Sequence, residues 1–164
     1  MMDIALVLDK LRPGAKWRMA DSYDNLVATW EDETSIPSED ELEAAWLEIA
    51  KDKKKEKINL IRDSKEQSTF SCDGNIYDAD SVSVQRISIA VQNAFTAKIT
   101  DTPFELEWTL ADNTTVTLDA DGMLGVSQAL AVHSATVHSI ARQLKEAVDA
   151  AATTEELEAI VWSE

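Results

Sequence analysis

The sequence predicts an α+β protein of two small units, in which β-hairpins pack with helices and one long C-terminal helix carries a heptad-like seam. Three observations lead to this prediction. Apolar residues recur at helical spacing in several segments, short segments alternate apolar and polar residues around turn signals, and a lysine-rich run interrupts one helix. A helix that is polar all round usually bridges two packed units, so we expect units of residues 1–55 and 56–164.

Composition limits the classes of partner. The chain has 164 residues, of which 45% are hydrophobic, enough to build a core. Its 31 acids against 15 bases give a formal net charge of −16. Phosphate binding and attraction to anionic lipid both need a basic surface, so we expect neither nucleic acid nor a membrane as partner. A partner with neutral or basic patches fits this charge.

The redox compartment follows from the cysteine count. Cys72 is the only cysteine, so an internal disulfide cannot form. The N-terminal residues lack the basic start and the small-residue cleavage site of a signal peptide. No apolar run approaches the roughly 20 residues that span a bilayer. We therefore expect synthesis and folding in a cytoplasm.

The first unit begins with a short helix over Asp3–Leu11, which Pro13 and Gly14 end. Alternating apolar and polar residues then flank Tyr23, Asp24 and Asn25. This pattern predicts a β-hairpin with its turn at those three residues. Trp17 and Trp30 would then meet on one face.

A long helix is predicted next. Ser38 with Glu41 three residues later is a capping-box signature, and the neighbouring acids suit a helix N-terminus. Apolar residues at helical spacing follow, up to Ile49. The run 51–57 then carries five lysines and no apolar residue. We interpret these lysines as a solvated helix surface that marks the boundary between the units.

Two further hairpins and a helix are predicted in the second unit. Asp73-Gly74 between short apolar runs is a strong hairpin-turn signal. Apolar residues at helical spacing predict a helix over Ser81–Ile99. Alternation resumes at Phe104 and returns after a turn at Ala111–Asn113, which predicts the last hairpin.

The longest helix is predicted from Ala120 to about Ala150. Its apolar seam alternates steps of three and four residues, the spacing of a packed helix pair or coiled coil. The seam consists of Met123, Val126, Leu130, His133, Val137, Ile140, Leu144 and Ala147. A second capping box, Thr153 with Glu156, opens a final short helix.

Two acidic clusters raise the question of a metal site. Asp119 and Asp121 precede Gly122, but no acid follows to complete a calcium loop, so we expect Asp119 to cap the long helix. A second set, Asp73, Asn75, Asp78 and Asp80, offers more oxygens, but at spacings that miss the known loop. We expect no metal and no cofactor.

Catalytic motifs are also missing from the sequence. His133 and His138 are five residues apart on the predicted helix and point to different faces, and His133 lies in the apolar seam. Cys72 has no nearby histidine in the sequence. No phosphate loop, HExxH or CxxC occurs. We expect a protein that is not an enzyme; a cell-wall hydrolase would need paired carboxylates or a metal.

An ordered set of residues in the second unit resembles a known family. The set contains Phe70, Asp73-Gly74, Tyr77-Asp78-Ala79-Asp80, Trp108, Ala111-Asp112-Asn113, Leu118, His133, Leu144-Lys145, Ala150-Ala151 and the segment TEELEAIVW. It is similar to a domain of unknown function that recurs in tail fibre and tail fibre assembly genes of bacteriophages and prophages. The resemblance covers roughly residues 57–164. Residues 1–55 more weakly resemble small proteins of prophage tail clusters.

The resemblance implies a non-catalytic bacteriophage tail accessory protein that binds a tail fibre or baseplate component and is located in the virion tail. The alternative is a tail fibre assembly chaperone that is absent from the mature virion. The heptad seam also allows a homo-oligomer. Aromatic and seam residues are the candidate partner-binding residues, because such side chains commonly anchor interfaces. They are Trp17, Trp30, Met123, Leu130, His133 and Val137.

Overall fold

The computed structural model describes residues 2–163 and has an α+β architecture, which confirms the predicted fold class. Its sheets are two separate antiparallel pairs of strands within these residues. In chain order, the elements are α1 (Ile4–Leu11), α2 (Tyr23–Thr29), α3 (Glu39–Glu66), β1 (Thr69–Cys72), β2 (Asn75–Asp78), α4 (Ser81–Thr100), β3 (Glu105–Thr109), β4 (Thr115–Asp119), α5 (Ala120–Ala150) and α6 (Thr154–Ala159).

The chain forms two compact units, and the first is discontinuous in sequence. Residues 2–57 and 145–163 form the first unit, and residues 58–144 form the second. The sequence had assigned 145–164 to the second unit. In the structure the end of α5 lies against α3, because Lys51 Nζ donates to the Asp149 carbonyl at 3.1 Å and Lys55 pairs with the Asp149 carboxylate. Residue 164 lies outside the described residues.

The predicted N-terminal hairpin is wrong, because residues 23–29 form α2. Ser22 caps this helix, and its Oγ accepts a hydrogen bond from the Asn25 amide at 3.2 Å. Leu26, fully buried, anchors α2 in the core of the first unit. Of the expected strands only a single antiparallel bridge remains, between Trp17 and Trp30. The backbones of the two tryptophans therefore pair, across a helix rather than a turn.

The capping box at the start of α3 is confirmed. The Glu41 amide donates to Ser38 Oγ at 3.2 Å, and the Ser38 amide donates back to Glu41 Oε2 at 2.8 Å. Helix α3 then continues through the lysine-rich run to Glu66. The interpretation of that run as solvated holds only in part. Lys51 has only 13% of its side chain exposed, since it binds the C-terminal end of α5.

The hairpins of the second unit have the predicted turns. Asp73 and Gly74 both adopt positive φ angles, 48° and 79°, as a two-residue hairpin of this kind requires. Phe70 faces Tyr77 across β1 and β2, with ring centroids 5.5 Å apart. The β3–β4 hairpin turns through Asn113, whose φ is 65°, and its Trp108 is buried in the same core as Phe70.

The long helix α5 begins where the sequence predicts it. Asp119 Oδ1 accepts a hydrogen bond from the Gly122 amide at 2.8 Å, so Asp119 is a helix cap. The seam, however, is not a continuous heptad. After Val137 the buried positions are Ala141 and Val148, whereas Ala147 is exposed. Residues 137 and 148 are both buried and are eleven residues apart. This spacing fits the 3.6 residues per turn of a straight helix, and it departs from a strict seven-residue repeat.

Candidate functional site

An open groove of about 760 Å³ lies in the first unit, between α3 and the segment that carries α6. Both helix N-termini beside it are fixed by capping. In α6, Thr153 Oγ1 accepts from the Glu156 amide at 3.1 Å, while Glu156 accepts from the Ala152 amide at 2.7 Å. The residues that line the groove are Met2, Asp40, Glu43, Ala44, Trp46, Leu47, Ala50, Ala152, Thr153, Thr154, Glu155, Leu157 and Glu158.

The lining combines an apolar surface with carboxylates. Trp46, Leu47 and Leu157 are among its apolar lining residues, and Leu157 is itself buried. Four exposed acids stand among the lining residues, two from α3 and two from α6, and no lysine, arginine or histidine does. They are Asp40, Glu43, Glu155 and Glu158. This arrangement favours a ligand that is apolar on one side and positively charged on the other.

Three lysines of α3 contact groups other than these acids. Lys51 and Lys55 are both held by Asp149 at the end of α5. Lys53 lies over the ring of Trp46, with Nζ 5.6 Å from the ring centroid, which is a cation–π distance. None of the ion pairs among residues 2–163 joins a lysine to one of the four groove acids, in a chain whose net charge is −16.

The second unit contains a cluster that the sequence did not reveal. Glu66, in the last turn of α3, accepts a hydrogen bond from Ser134 Oγ at 2.6 Å and another from His138 Nε2 at 3.0 Å. The Ser134 hydrogen bond is the largest cause of a Glu66 pKa held below its ordinary value of 4.5; partial burial opposes it, and His138 and Arg62 add to the lowering.

This cluster has the residue types of a hydrolytic triad but not its connections. A serine nucleophile needs a base that accepts its proton, and a third group that orients the base. Here Ser134 and His138 both donate to the same Glu66 carboxylate, and no hydrogen bond joins the serine to the histidine in the described residues. Chemically, the cluster ties α3 to α5 within the second unit.

The two histidines differ in their surroundings, as their spacing predicts. His133 Nε2 donates to the Lys65 carbonyl at 3.1 Å, and its ring centroid lies 6.1 Å from that of Phe70. His138 instead shares a face with Ser134, four residues earlier, and that pair meets Glu66. The i,i+4 spacing was visible in the sequence, but the partner 68 residues away was not.

The candidate partner-binding residues are divided between the two cores. Trp17 and Trp30 are half-buried against the core of the first unit, and Trp30 Nε1 donates to the Thr34 carbonyl at 2.9 Å. Met123 is fully buried and Val137 nearly so, so neither is exposed to a partner. Leu130 and His133 are half-buried, and Leu130 packs against the core of the second unit.

The acidic residues considered as metal ligands cap a helix or form a turn in the structure. Asp80 caps α4, accepting from the Val82 and Ser83 amides and from Ser83 Oγ, and these hydrogen bonds lower its pKa. Asp73 occupies the β1–β2 turn. Across residues 2–163, no group of three or more His, Cys, Asp or Glu side chains is arranged to hold a metal ion. None of the described helices is long and apolar enough to cross a membrane.

Comparison with known families places most of the chain in a domain family. Residues 49–161 match the model of DUF4376, described as a domain of unknown function. The chain belongs to this family. The match covers the whole second unit and, from the first unit, α6 and parts of α3 and α5. No curated protein and no solved structure matches the chain.

Proposed function

We propose that this DUF4376 protein is a non-catalytic binding protein whose acidic groove holds a basic, amphipathic segment of a bacteriophage tail fibre or baseplate protein. The groove carries the proposal, because its apolar surface and its four carboxylates would contact opposite sides of such a segment. The assignment to phage tails rests on the sequence resemblance described above. The protein would then be located in the virion tail.

The absence of a catalytic role is part of the proposal. It is supported by the geometry around Glu66, where serine and histidine are both bound to one carboxylate and not to each other. The groove supports it as well. Its four acids are all exposed, and its lining residues include no histidine that could act as a base and no cysteine that could act as a nucleophile.

The first experiment asks whether the protein is part of the particle. Mature virions are purified, and mass spectrometry measures the copy number of this chain relative to the tail fibre. A fixed ratio supports a structural tail protein. Absence from virions with co-purification of the fibre from infected cells supports the alternative, an assembly chaperone. Absence from both would overturn the phage-tail proposal.

The second experiment tests the groove. The double variant Glu43→Lys/Glu158→Lys reverses two groove charges whose side chains make no hydrogen bond in the described part of the chain. The control is Glu105→Lys/Glu107→Lys, which makes the same charge change on exposed positions of β3. We expect the groove variant alone to lose co-purification with the tail protein. Equal retention by both variants would show that the groove is not the binding site.

Salt provides an independent check of the same mechanism. Exposed charge pairs are screened over a Debye length of about 8 Å at physiological ionic strength. Binding through the four carboxylates should therefore weaken as sodium chloride is raised, and the apolar contacts should leave a residual affinity. Binding that is insensitive to salt would exclude a basic partner in the groove.

A further inference from the structure

Helix α4 presents an uncharged, exposed face with coiled-coil spacing. Six residues recur at steps of three and four and are all exposed: Val82, Gln85, Ile89, Gln92, Thr96 and Ile99. We call this set the α4 seam. Val82, Ile89 and Ile99 are 62%, 61% and 67% exposed. The seam runs the length of a 20-residue helix, about 30 Å.

The seam takes no part in the fold of the second unit. Helix α4 packs into its core through Ile87, Ala90, Val91 and Ala94, and Ala97 is buried as well. None of these residues belongs to the seam. They occupy the remaining sides of the helix. The contacts that fold the unit therefore leave the whole seam available.

Electrostatics favour contact between copies at this face. Helix α4 contains no acid, in a chain with a net charge of −16. Its two bases are engaged within the unit: Arg86 lies 5.2 Å from the ring centroid of Trp108, and Lys98 pairs with the Asp121 carboxylate. Two strongly acidic copies can thus meet along the seam without bringing carboxylates of α4 together or burying a charge.

The seam is complementary to itself when two helices run in parallel. Its a positions, Val82, Ile89 and Thr96, are β-branched, a residue type that two-stranded parallel coiled coils accept at a, and Ile99 falls at a d position. The Thr96 hydroxyl already donates to the Gln92 carbonyl at 2.9 Å, so burying it leaves no donor unpaired. Gln85 and Gln92 fall at d positions, where each faces its own copy in a parallel pair. An amide that both donates and accepts can hydrogen-bond to an identical amide.

We propose that the α4 seam is a self-association site, at which a second copy of this chain packs its own seam in a parallel, in-register pair. The glutamines at the d positions fix the register and the orientation of the two helices, and they also lower the affinity of the pair. The pair therefore forms at high local concentration, as when several copies are held on one assembly. This inference concerns the second unit and does not depend on the groove of the first.

Sedimentation of the full chain across a micromolar to millimolar range tests the proposal. We expect a monomer–dimer equilibrium. Ile89→Glu, which places two carboxylates inside the seam, should raise the dissociation constant by roughly a hundredfold or more. Val132→Glu is the control, since Val132 is 59% exposed on another helix and outside the seam. Gln92→Leu should tighten the dimer, because leucine at d favours two-stranded packing.

Two results would overturn the proposal. One is a wild-type chain that stays monomeric from micromolar to millimolar concentration. The seam would then bind a different protein and not a second copy of this chain. The other is an association that Ile89→Glu and Val132→Glu weaken equally. Circular dichroism of each variant shows that the fold is retained.

Orientation is tested by crosslinking. In a Cys72→Ser background, Ile89→Cys should form an interchain disulfide under oxidation, because a positions of the same layer face each other only in a parallel pair. Val132→Cys should not. A dimer that forms without that crosslink would exclude the parallel, in-register arrangement.

Discussion

The hydroxyl of Ser134 donates a 2.6 Å hydrogen bond to the carboxylate of Glu66, 68 residues earlier in the chain. His138 donates to the other oxygen of the same carboxylate. Both donors lie on one face of α5, and the acceptor lies in the last turn of α3. The pair of hydrogen bonds therefore fastens two long helices at one point of the second unit.

This contact predicts a pH dependence of stability. The pKa of Glu66 is lowered in the folded state, so its stabilising contribution is complete above the ordinary value of 4.5 and is lost as the pH falls through the folded-state pKa. Glu66→Gln keeps an acceptor for Ser134 but cannot ionise. We expect the variant to lose less free energy of unfolding than wild type between about pH 5 and pH 3.

Chemical denaturation at each pH measures this difference. The protein must be dilute, because the sequence pI of about 4.4 lies inside this pH interval. Near its pI a protein has little net charge and tends to associate. Glu105→Gln, which removes an exposed carboxylate of β3, is the matched control. If Glu66→Gln loses stability in parallel with wild type, the Glu66 carboxylate does not carry the effect.

Two glycines of α5 should respond differently to alanine. A Cβ on Gly125 meets nothing within 4 Å, so Gly125→Ala should stabilise the helix by roughly 0.5–1 kcal/mol. A Cβ on Gly122 would lie 3.2 Å from Asp119 Oδ1 and 3.3 Å from Leu118 Cδ2. Moving that carboxylate weakens the cap, worth about 1 kcal/mol, so Gly122→Ala should show no gain. Equal gains in denaturant unfolding would contradict this account.

The thiol of Cys72 should be slow to alkylate. Burial raises its pKa, and the negative charge of Asp73 raises it further. Since the thiolate is the nucleophile, the native thiol should react more slowly with iodoacetamide than the thiol of the urea-unfolded chain. Asp73→Asn removes the charge and retains a residue that tolerates the positive φ at this turn. It should speed alkylation of the native protein; an unchanged rate would rule out a contribution from the Asp73 charge.

What the sequence predicted well depends on neighbouring residues. Hairpin turns at Asp73-Gly74 and at Asn113 need positive φ angles, which few residue types adopt easily, so composition identifies them. The Ser38–Glu41 capping box and the Asp119 cap likewise join residues three apart, and the structure shows their hydrogen bonds. At Thr153 only the bond from the Glu156 amide joins residues three apart, because the Glu156 carboxylate accepts from the Ala152 amide instead. These signals are readable without knowing the fold.

What the sequence did not predict joins distant segments. The groove brings α3 against α6, and the Glu66 cluster brings α3 against α5, and no local pattern encodes either contact. The error at residues 17–30 has a different cause. The alternation around the tryptophans fits a strand, but Ser22 is also a good helix cap, and in the structure its Oγ accepts from the backbone amide of residue 25.

The Ser22 cap offers a direct test of α2. Ser22→Ala removes the acceptor of the Asn25 amide and should cost about 1 kcal/mol of unfolding free energy in the first unit. Ser35→Ala, at an exposed serine whose hydroxyl makes no hydrogen bond among residues 2–163, should change it by less than about 0.5 kcal/mol.

Tryptophan fluorescence is a suitable probe, because four of the five tryptophans lie in the first unit. Ser22→Asp should retain most of the stability, since aspartate is an equally good cap and its charge suits the helix N-terminus. In a hairpin, residue 22 would precede the turn, and aspartate there would have no helix dipole to stabilise. Equal effects of Ser22→Ala and Ser35→Ala, with no rescue by aspartate, would therefore favour the strand over α2.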